Sequence, residues 1–403
     1  MIDQIKKLGP GLLFAGAAIG VSHLVQSTKA GAEFGFGLIW ALLLCNFFKY
    51  PFFLFGTKYA FSTGETLLHG YKKIGDYVLY IYLLLSIVTI FTIQAAVTIV
   101  TAGLAVELFG FNNNIAIMAS IILILCIIIL TVGKYKLLDN FIKIVILILT
   151  LSTLFAVGYA TNNNIVELSV NQIFPDEVSG IIFLAAFMGW MPAPLDVSIW
   201  QSIWTKEKLN LNNKIKYKSA LFDFNIGYIS TVFLGLCFVA LGAFVMFESG
   251  QTFSNNGSEF ANQLIKLYTD NLGENVKIFI SIAAFTTMLS TTITCLDASP
   301  RAMSQTLILL NHKKISGYNT WILIISIITM IIFVFYESEM GALIKIATIL
   351  SFITAPIYAI MNYSLVNSDY MPKKFKLSKS MKFYSISGII FLTIFSIWYI
   401  TLI

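Results

Sequence analysis

The chain has 403 residues, of which 58% are apolar and only 11% charged, against roughly 25% charged in soluble domains. Its mean hydropathy is +0.83, which excludes a water-soluble enzyme or binding module and indicates a polytopic membrane protein. The net charge of +6 is no nucleic-acid footprint, because most lysines fall in short segments between apolar runs.

Met1 to Pro10 is too short and polar for a cleaved signal peptide, so the apolar stretch after it is expected in the mature protein. A bilayer core needs about 20 mostly apolar residues per helix. Such runs lie at 11–33, 36–62, 77–105, 115–133, 139–160, 178–204, 222–249, 275–298, 319–336, 341–365 and 382–402, eleven in all. With a cytoplasmic N-terminus, Lys6, Lys7, Lys58, Lys72, Lys73, Lys134, Lys136, Lys206, Lys208, Lys214, Lys216, Lys218, Arg301, Lys313, Lys314, Lys373, Lys374, Lys376, Lys379 and Lys382 all fall inside. The external loops hold Lys266 and Lys277 but mostly acids: Glu107, Glu167, Asp176, Glu177, Glu337 and Glu339. This positive-inside bias predicts a cytoplasmic N-terminus and an external C-terminus, in a prokaryotic plasma membrane. Cys45, Cys126, Cys237 and Cys295 are scattered through apolar runs without metal-ligand spacing and read as small buried hydrophobes.

Three spans are interrupted or polar. In the first, the apolar start gives way in mid-membrane to Gly20, Ser22, His23, Gln26, Ser27, Thr28 and Lys29. Such groups are costly in lipid unless they face a partner or a wet cavity, so the helix is expected to break from Gly20 to Lys29. The sixth span contains Trp190-Met191-Pro192-Ala193-Pro194 followed by Asp196. Two prolines preclude a continuous helix, and Asp196 falls where a half-helix N-terminus stabilises a carboxylate. The breaks take equivalent places if spans 1–5 and 6–10 are inverted repeats, at about 11–160 and 178–365, with an accessory helix at about 382–402. Paired interrupted helices of this kind point to a transporter's binding site. The eighth span carries a hydroxyl face that includes Thr291, for which helix packing is the simpler role.

Charged residues at depth are functional candidates. Lys49 is expected to seek an acidic partner, while Asp223 and Asp297 are expected to cap helices or pair with loop lysines. His69 and His312 read as surface residues. Lys29 has four readings: a structural pair with an acid, a stand-in for a coupling ion, a contact to an anionic or zwitterionic substrate, or snorkelling to the surface. No nucleotide-binding glycine loop, HExxH pair or GxSxG elbow is present, so neither an enzyme nor a cofactor is expected. The expected partners are the bilayer and a small ion or solute.

Gly9-Pro10-Gly11-Leu12-Leu13, Lys29-Ala30-Gly31-Ala32-Glu33-Phe34-Gly35, Leu38-Ile39-Trp40 through Asn46, Thr63-Gly64, Ala102 to Gly110 and Met191-Pro192 resemble the Nramp family of divalent-metal transporters. The resemblance implies an all-α LeuT-type fold, two inverted five-helix repeats plus an eleventh helix. The family's DPGN metal motif lines up with Gly20-Val21-Ser22-His23, so Gly20 replaces its Asp and His23 its Asn. Of its MPH signature the soft thioether Met191 is kept, while Ala193 replaces the proton-handling histidine. Gln94 and Val97 stand for an acidic pair linked to proton movement. The resemblance places the substrate site at Gly20, His23 and Met191; with the family's ligands changed, the local candidates for metal ligands are His23, Met191, the nearby Asp196 and backbone carbonyls of both breaks. Ser22, Ser27, Lys29, Trp190 and Thr291 are auxiliary or gating candidates. The implied function is secondary transport of a divalent metal, as cargo rather than cofactor, with weak or absent proton coupling. A transporter of an amino acid or small anion on the same fold is the alternative, and a non-transporting membrane sensor a further one.

Overall fold

The computed structural model describes residues 9–110, 114–163, 169–211, 215–247, 253–254, 257–272, 277–336 and 340–401. Lys6, Lys7, Lys214, Glu167, Glu337 and Glu339 lie outside them, as do the side chains of Lys134, Lys136, Lys277 and Lys313. The described residues form helices and no strands.

Pro10 opens α1 (Pro10–Ala18), where its missing N–H costs nothing. A π-helical turn, Ser22–Ser27, leads into α2 (Thr28–Phe34), and the two halves of this span are bent by 48°. The helices α3 (Ile39–Thr63), α4 (Leu67–Ile74), α5 (Asp76–Phe109) and α6 (Ile115–Asn163) complete the first part of the chain. The second broken span is α7 (Val178–Trp190) and α8 (Val197–Leu211), followed by α9 (Tyr217–Val245) and α10 (Gly257–Leu272). The helices α11 (Lys277–Leu309), α12 (Tyr318–Tyr336), α13 (Met340–Asn367) and α14 (Lys379–Ile400) end the fold.

Among the described residues, seven stretches are long and apolar enough to cross a membrane, and the bent α1–α2 pair makes an eighth if it is one span. The other three expected spans are helical too, as α7–α8, α11 and α12. Large apolar side chains such as Leu84, Ile124, Leu147, Ile229 and Phe335 are exposed on the outer surface, as lipid-facing positions require. The protein is an integral membrane protein.

The structure corrects three local expectations. The first break is confined to Ile19 and Gly20 rather than running to Lys29, because the wider π turn keeps Ser22 to Ser27 wound. The expected spans 115–133 and 139–160 are one helix, α6, with no proline between its apolar windows Ile115–Val132 and Phe141–Thr161. A straight 49-residue helix would be about 74 Å long, more than twice the ~30 Å hydrocarbon core. Both windows therefore cross one bilayer only if the helix changes direction. Two helices outside the spans, α4 and α10, were also not foreseen.

The first span runs along α9, and glycine makes the approach possible. A Cβ at Gly11 would meet the Asp223 carbonyl, one at Gly227 the Gly11 carbonyl, one at Gly31 the Val239 carbonyl, and one at Gly242 the Thr28 carbonyl. Small residues of this kind let membrane helices touch backbone to backbone. The Asp223 carboxylate anchors the same pair, accepting hydrogen bonds from Gly9 N and Gly11 N at 2.9 Å each. It caps the positive end of α1, which is the capping role expected for it. Asp297 instead accepts from Arg301 Nε at 2.8 Å and the Tyr318 hydroxyl at 2.9 Å.

Gly242→Ala should force α2 and α9 apart and lower the thermal midpoint in detergent, with an overpacking cost of about 1–3 kcal/mol. Gly158→Ala, where a Cβ meets nothing within 4 Å, should not lower it. Equal midpoints for the two variants would contradict this packing.

Candidate substrate site at two broken helices

Where α1 stops, its last carbonyls lose their helical donors, and lipid offers none. The Thr291 hydroxyl of α11 lies 3.0 Å from the Gly16 carbonyl and 3.3 Å from that of Ile19. Ser290 Oγ also donates to Gly16 O, at 3.3 Å. The Ser22 hydroxyl turns back to Ala18 O at 2.5 Å, and Ser27 Oγ donates to Ser22 O at 3.2 Å.

Gly20 fits because Thr291 occupies the space a side chain would need. A Cβ there would lie 2.5 Å from Thr291 Oγ1 and 2.9 Å from its Cβ. A larger side chain at position 20 therefore has no room unless Thr291 moves.

His23 is fully buried. Its Nε2 donates to the Thr231 carbonyl of α9 at 2.8 Å, and its Nδ1 faces Ser22 Oγ at 2.6 Å and Ala18 O at 3.1 Å. Both ring nitrogens thus tie the first break to α9 and to its own turn. A metal would gain His23 as a ligand only after one of these bonds was given up.

The second break, residues 191–196, faces the first. Ser22 Oγ lies 3.4 Å from Pro192 O. A Cβ on Gly235 would come within 3.6 Å of Met191 Sδ and 3.7 Å of His23 Cδ2, so thioether and imidazole share one neighbourhood. Asp196 is 8% exposed, and its Oδ1 has no hydrogen-bond partner. A buried carboxylate oxygen without a donor is costly and is open to a cation or a proton. Trp190 is held by its Nε1, which donates to Ser351 Oγ of α13 at 2.8 Å.

Between the breaks is a void of about 20 Å³, lined by Ala18, Val21, Ser22, Trp190, Pro194 and Thr291 among others. That is room for about one water. Beyond it, between α2, α7, α10 and α13, opens a cavity of about 480 Å³. Lys29, Lys345, Gln26 and Ser179 line it together with Phe183, Phe253 and Phe260. Lys29 pairs with Glu33 at 3.5 Å and rests over the Phe183 ring at 5.6 Å. The Gln26 side chain is buried, and its Oε1 has no partner. His69, half-buried, bonds Thr66 Oγ1 at 2.9 Å.

The expected residues therefore divide. Gly20, Ser22, His23, Ser27 and Thr291 gather at the first break, Trp190, Met191 and Asp196 at the second, and Lys29 lines the vestibule. Among the described residues, no group of three or more His, Cys, Asp or Glu side chains could hold a metal. Sequence reasoning missed Lys345, which projects into the vestibule, and misjudged Lys49. That lysine finds backbone carbonyls of α7 and the second break instead of an acid. The available signal was Cys45 and Lys49, four apart on one face of α3, opposite a proline-broken span.

Reintroducing the acid at the first break should fail on sterics. Gly20→Asp is expected to lower the thermal midpoint, and Thr291→Ala to recover part of that loss in the double variant, a coupling of about 0.5–3 kcal/mol. Strict additivity of the two changes would show that Thr291 does not fill the site.

The family profile described as "Natural resistance-associated macrophage protein-like" matches residues 11–402. The uncharacterized protein PM0681 of Pasteurella multocida (strain Pm70) is 34% identical over 405 residues, covering 99% of this chain and 92% of that protein. Among solved structures, a mutant of the Eremococcus coleocola manganese transporter superposes with a TM-score of 0.69 at 14% identity, over 98% of this chain and 85% of that one. Mhp1, a nucleobase-cation-symport-1 family transporter with bromovinylhydantoin bound, gives 0.65 at 13% identity, over 98% and 92%. MhsT in complex with L-phenylalanine gives 0.66 at 11%, over 96% and 98%. At these identities the likeness establishes the shared fold: the LeuT-type arrangement of two inverted five-helix repeats with an eleventh helix. With a profile match along nearly its whole length, the chain belongs to the natural resistance-associated macrophage protein (Nramp) family.

Proposed function

We propose that this protein is a secondary transporter that moves a divalent metal cation by alternating access, with weak or absent proton coupling. The observation that carries the reading is the pair of broken helices facing each other, with the Met191 thioether and the unpartnered Asp196 Oδ1 at the second break. Thioether and carboxylate together suit manganese, iron or a later transition metal. Few protein donors are free, because His23 and the first-break carbonyls are already bonded. The cargo therefore keeps part of its water shell, as magnesium does readily. Proton coupling is weak in this reading because Ala193, Gln94 and Val97 cannot carry the proton that acids and a histidine would.

In this reading the repeats are about 11–160 and 178–365, the N-terminus is cytoplasmic and the C-terminus external. The 480 Å³ cavity then opens outward, and the tight packing at the breaks closes the inner path. No resident cofactor and no catalysed reaction are part of it.

A second reading is favoured by the vestibule. Lys345 and the Glu33-paired Lys29 line it with Gln26, Ser179 and three phenylalanines. With lysines and no acid in the lining, the vestibule suits a small anionic or zwitterionic solute better than a dication.

Uptake into proteoliposomes separates the two. Asp196→Asn and Met191→Ala should each cut manganese uptake by about tenfold or more, equivalent to about 1.4 kcal/mol. Met191→Ala should cost manganese more than magnesium, since sulfur favours the softer ion. Unchanged uptake of both metals in both variants would overturn the site. An imposed proton gradient should leave the rate unaltered, and strict dependence on it would overturn weak coupling. Full transport by Lys29→Ala would count against the anion reading.

A further inference from the structure

Lys49 is fully buried in the middle of α3. Its Nζ donates to the carbonyls of Gly189 at 2.7 Å, Met188 at 2.8 Å and Met191 at 3.0 Å, with Ala193 O at 3.4 Å. These four oxygens come from the last turn of α7 and from the break itself. They are free because the sequence leaves them so. The helical partner of Met188 O would be the N–H of residue 192, and Pro192 has none. The chain then turns away before the carbonyls of Gly189, Met191 and Ala193 can find donors. They point the negative end of a half-helix into a fully buried space. Cys45, one turn earlier on α3, directs its thiol to the same pair of carbonyls, at 2.9 Å from Met188 O and 3.0 Å from Met191 O.

We propose that the Lys49 ammonium is a tethered cation, filling a backbone-carbonyl cation site at the end of α7 and holding the second broken helix in place without a bound alkali ion. Three carbonyls within 3.0 Å match the three N–H donors of an ammonium. A neutral amine has two donors and would turn its lone pair on the third oxygen. Converging carbonyls around a compact cation are the same arrangement by which ion-conducting pores hold a dehydrated alkali ion. Here the ion is covalently attached and cannot leave.

The inference goes beyond the cargo reading, because it concerns a second, permanent cation. It also constrains that reading. A transported metal cannot draw on the carbonyls of Met188, Gly189, Met191 or Ala193 while Lys49 holds them. Those donors belong to the scaffold, and the metal is left the side chains of Met191 and Asp196.

The test needs no transport assay, so its failure is distinguishable from failure of the cargo assignment. Wild-type protein in detergent should melt at the same temperature in sodium, potassium or N-methyl-D-glucamine buffer. A midpoint that depends on sodium or potassium would overturn the proposal, since the site would then be filled by a free ion. Lys49→Ala should melt about 5 °C or more lower, and methylammonium or an alkali cation at millimolar concentration should restore at least half of that loss with saturating dependence. Lys49→Met fills the space without a charge, so it should melt low and gain nothing from the same cations. An unchanged midpoint in Lys49→Ala, or equal cation rescue of Lys49→Met, would show that the ammonium is not the element holding the break. If Lys49→Ala folds only when methylammonium is present during expression, that dependence is itself the expected rescue.

Discussion

A carbonyl that loses its helical donor in the middle of a bilayer must find another donor within the protein, and this requirement organises the molecule around its two breaks. Water is not there to supply it, and each unsatisfied group costs several kcal/mol. The chain meets the requirement twice by different chemistry. At the first break, neutral groups do it: the Thr291 hydroxyl reaches Gly16 and Ile19 from α11, and the Ser22 hydroxyl closes the turn on Ala18. At the second break a charged group does it, the Lys49 ammonium from α3. Two continuous helices, α11 and α3, thus fix the positions of the two broken spans.

This division has a consequence for chemistry. A metal site made largely of backbone oxygen would need those oxygens free, and here most are spoken for. Gly20 leaves no carboxylate at the first break, and the space for one is filled by Thr291. In the proposed reading, the donors still open, Met191 Sδ and Asp196 Oδ1, are few, and the cation keeps much of its hydration. Few direct ligands mean modest affinity, which suits a carrier that must release its cargo. Lys345 and the Glu33-paired Lys29 line the vestibule, which is what the anionic-solute reading rests on.

Much of the fold was legible from hydropathy, because lipid imposes element length. The eleven runs correspond to helices, and the α7–α8 break stands where Pro192 and Pro194 require it. The depth of the first break was overestimated, since polar residues in a span signal a partner or a cavity but not whether the backbone unwinds. Ser22 to Ser27 satisfy themselves in a π turn instead. The continuity of α6 was hidden because a polar segment without proline reads equally as loop or helix. At the site, the glycine at position 20 was legible as a departure from the family, but its cause was not: Thr291 is 271 positions away, and only folding brings them together. Lys49 was visible as a buried charge, yet the expectation of an acidic partner ignored that proline-freed carbonyls accept as readily as a carboxylate.

The most direct measurement is a structure of the protein determined with manganese bound, in which the ion is located by its anomalous scattering or density. The account predicts the ion between Met191 Sδ and Asp196 Oδ1, with the Lys49 ammonium still held by the carbonyls of Met188, Gly189 and Met191. An ion seated in that carbonyl cluster with Lys49 displaced, or no ion near either break at saturating manganese, would contradict it.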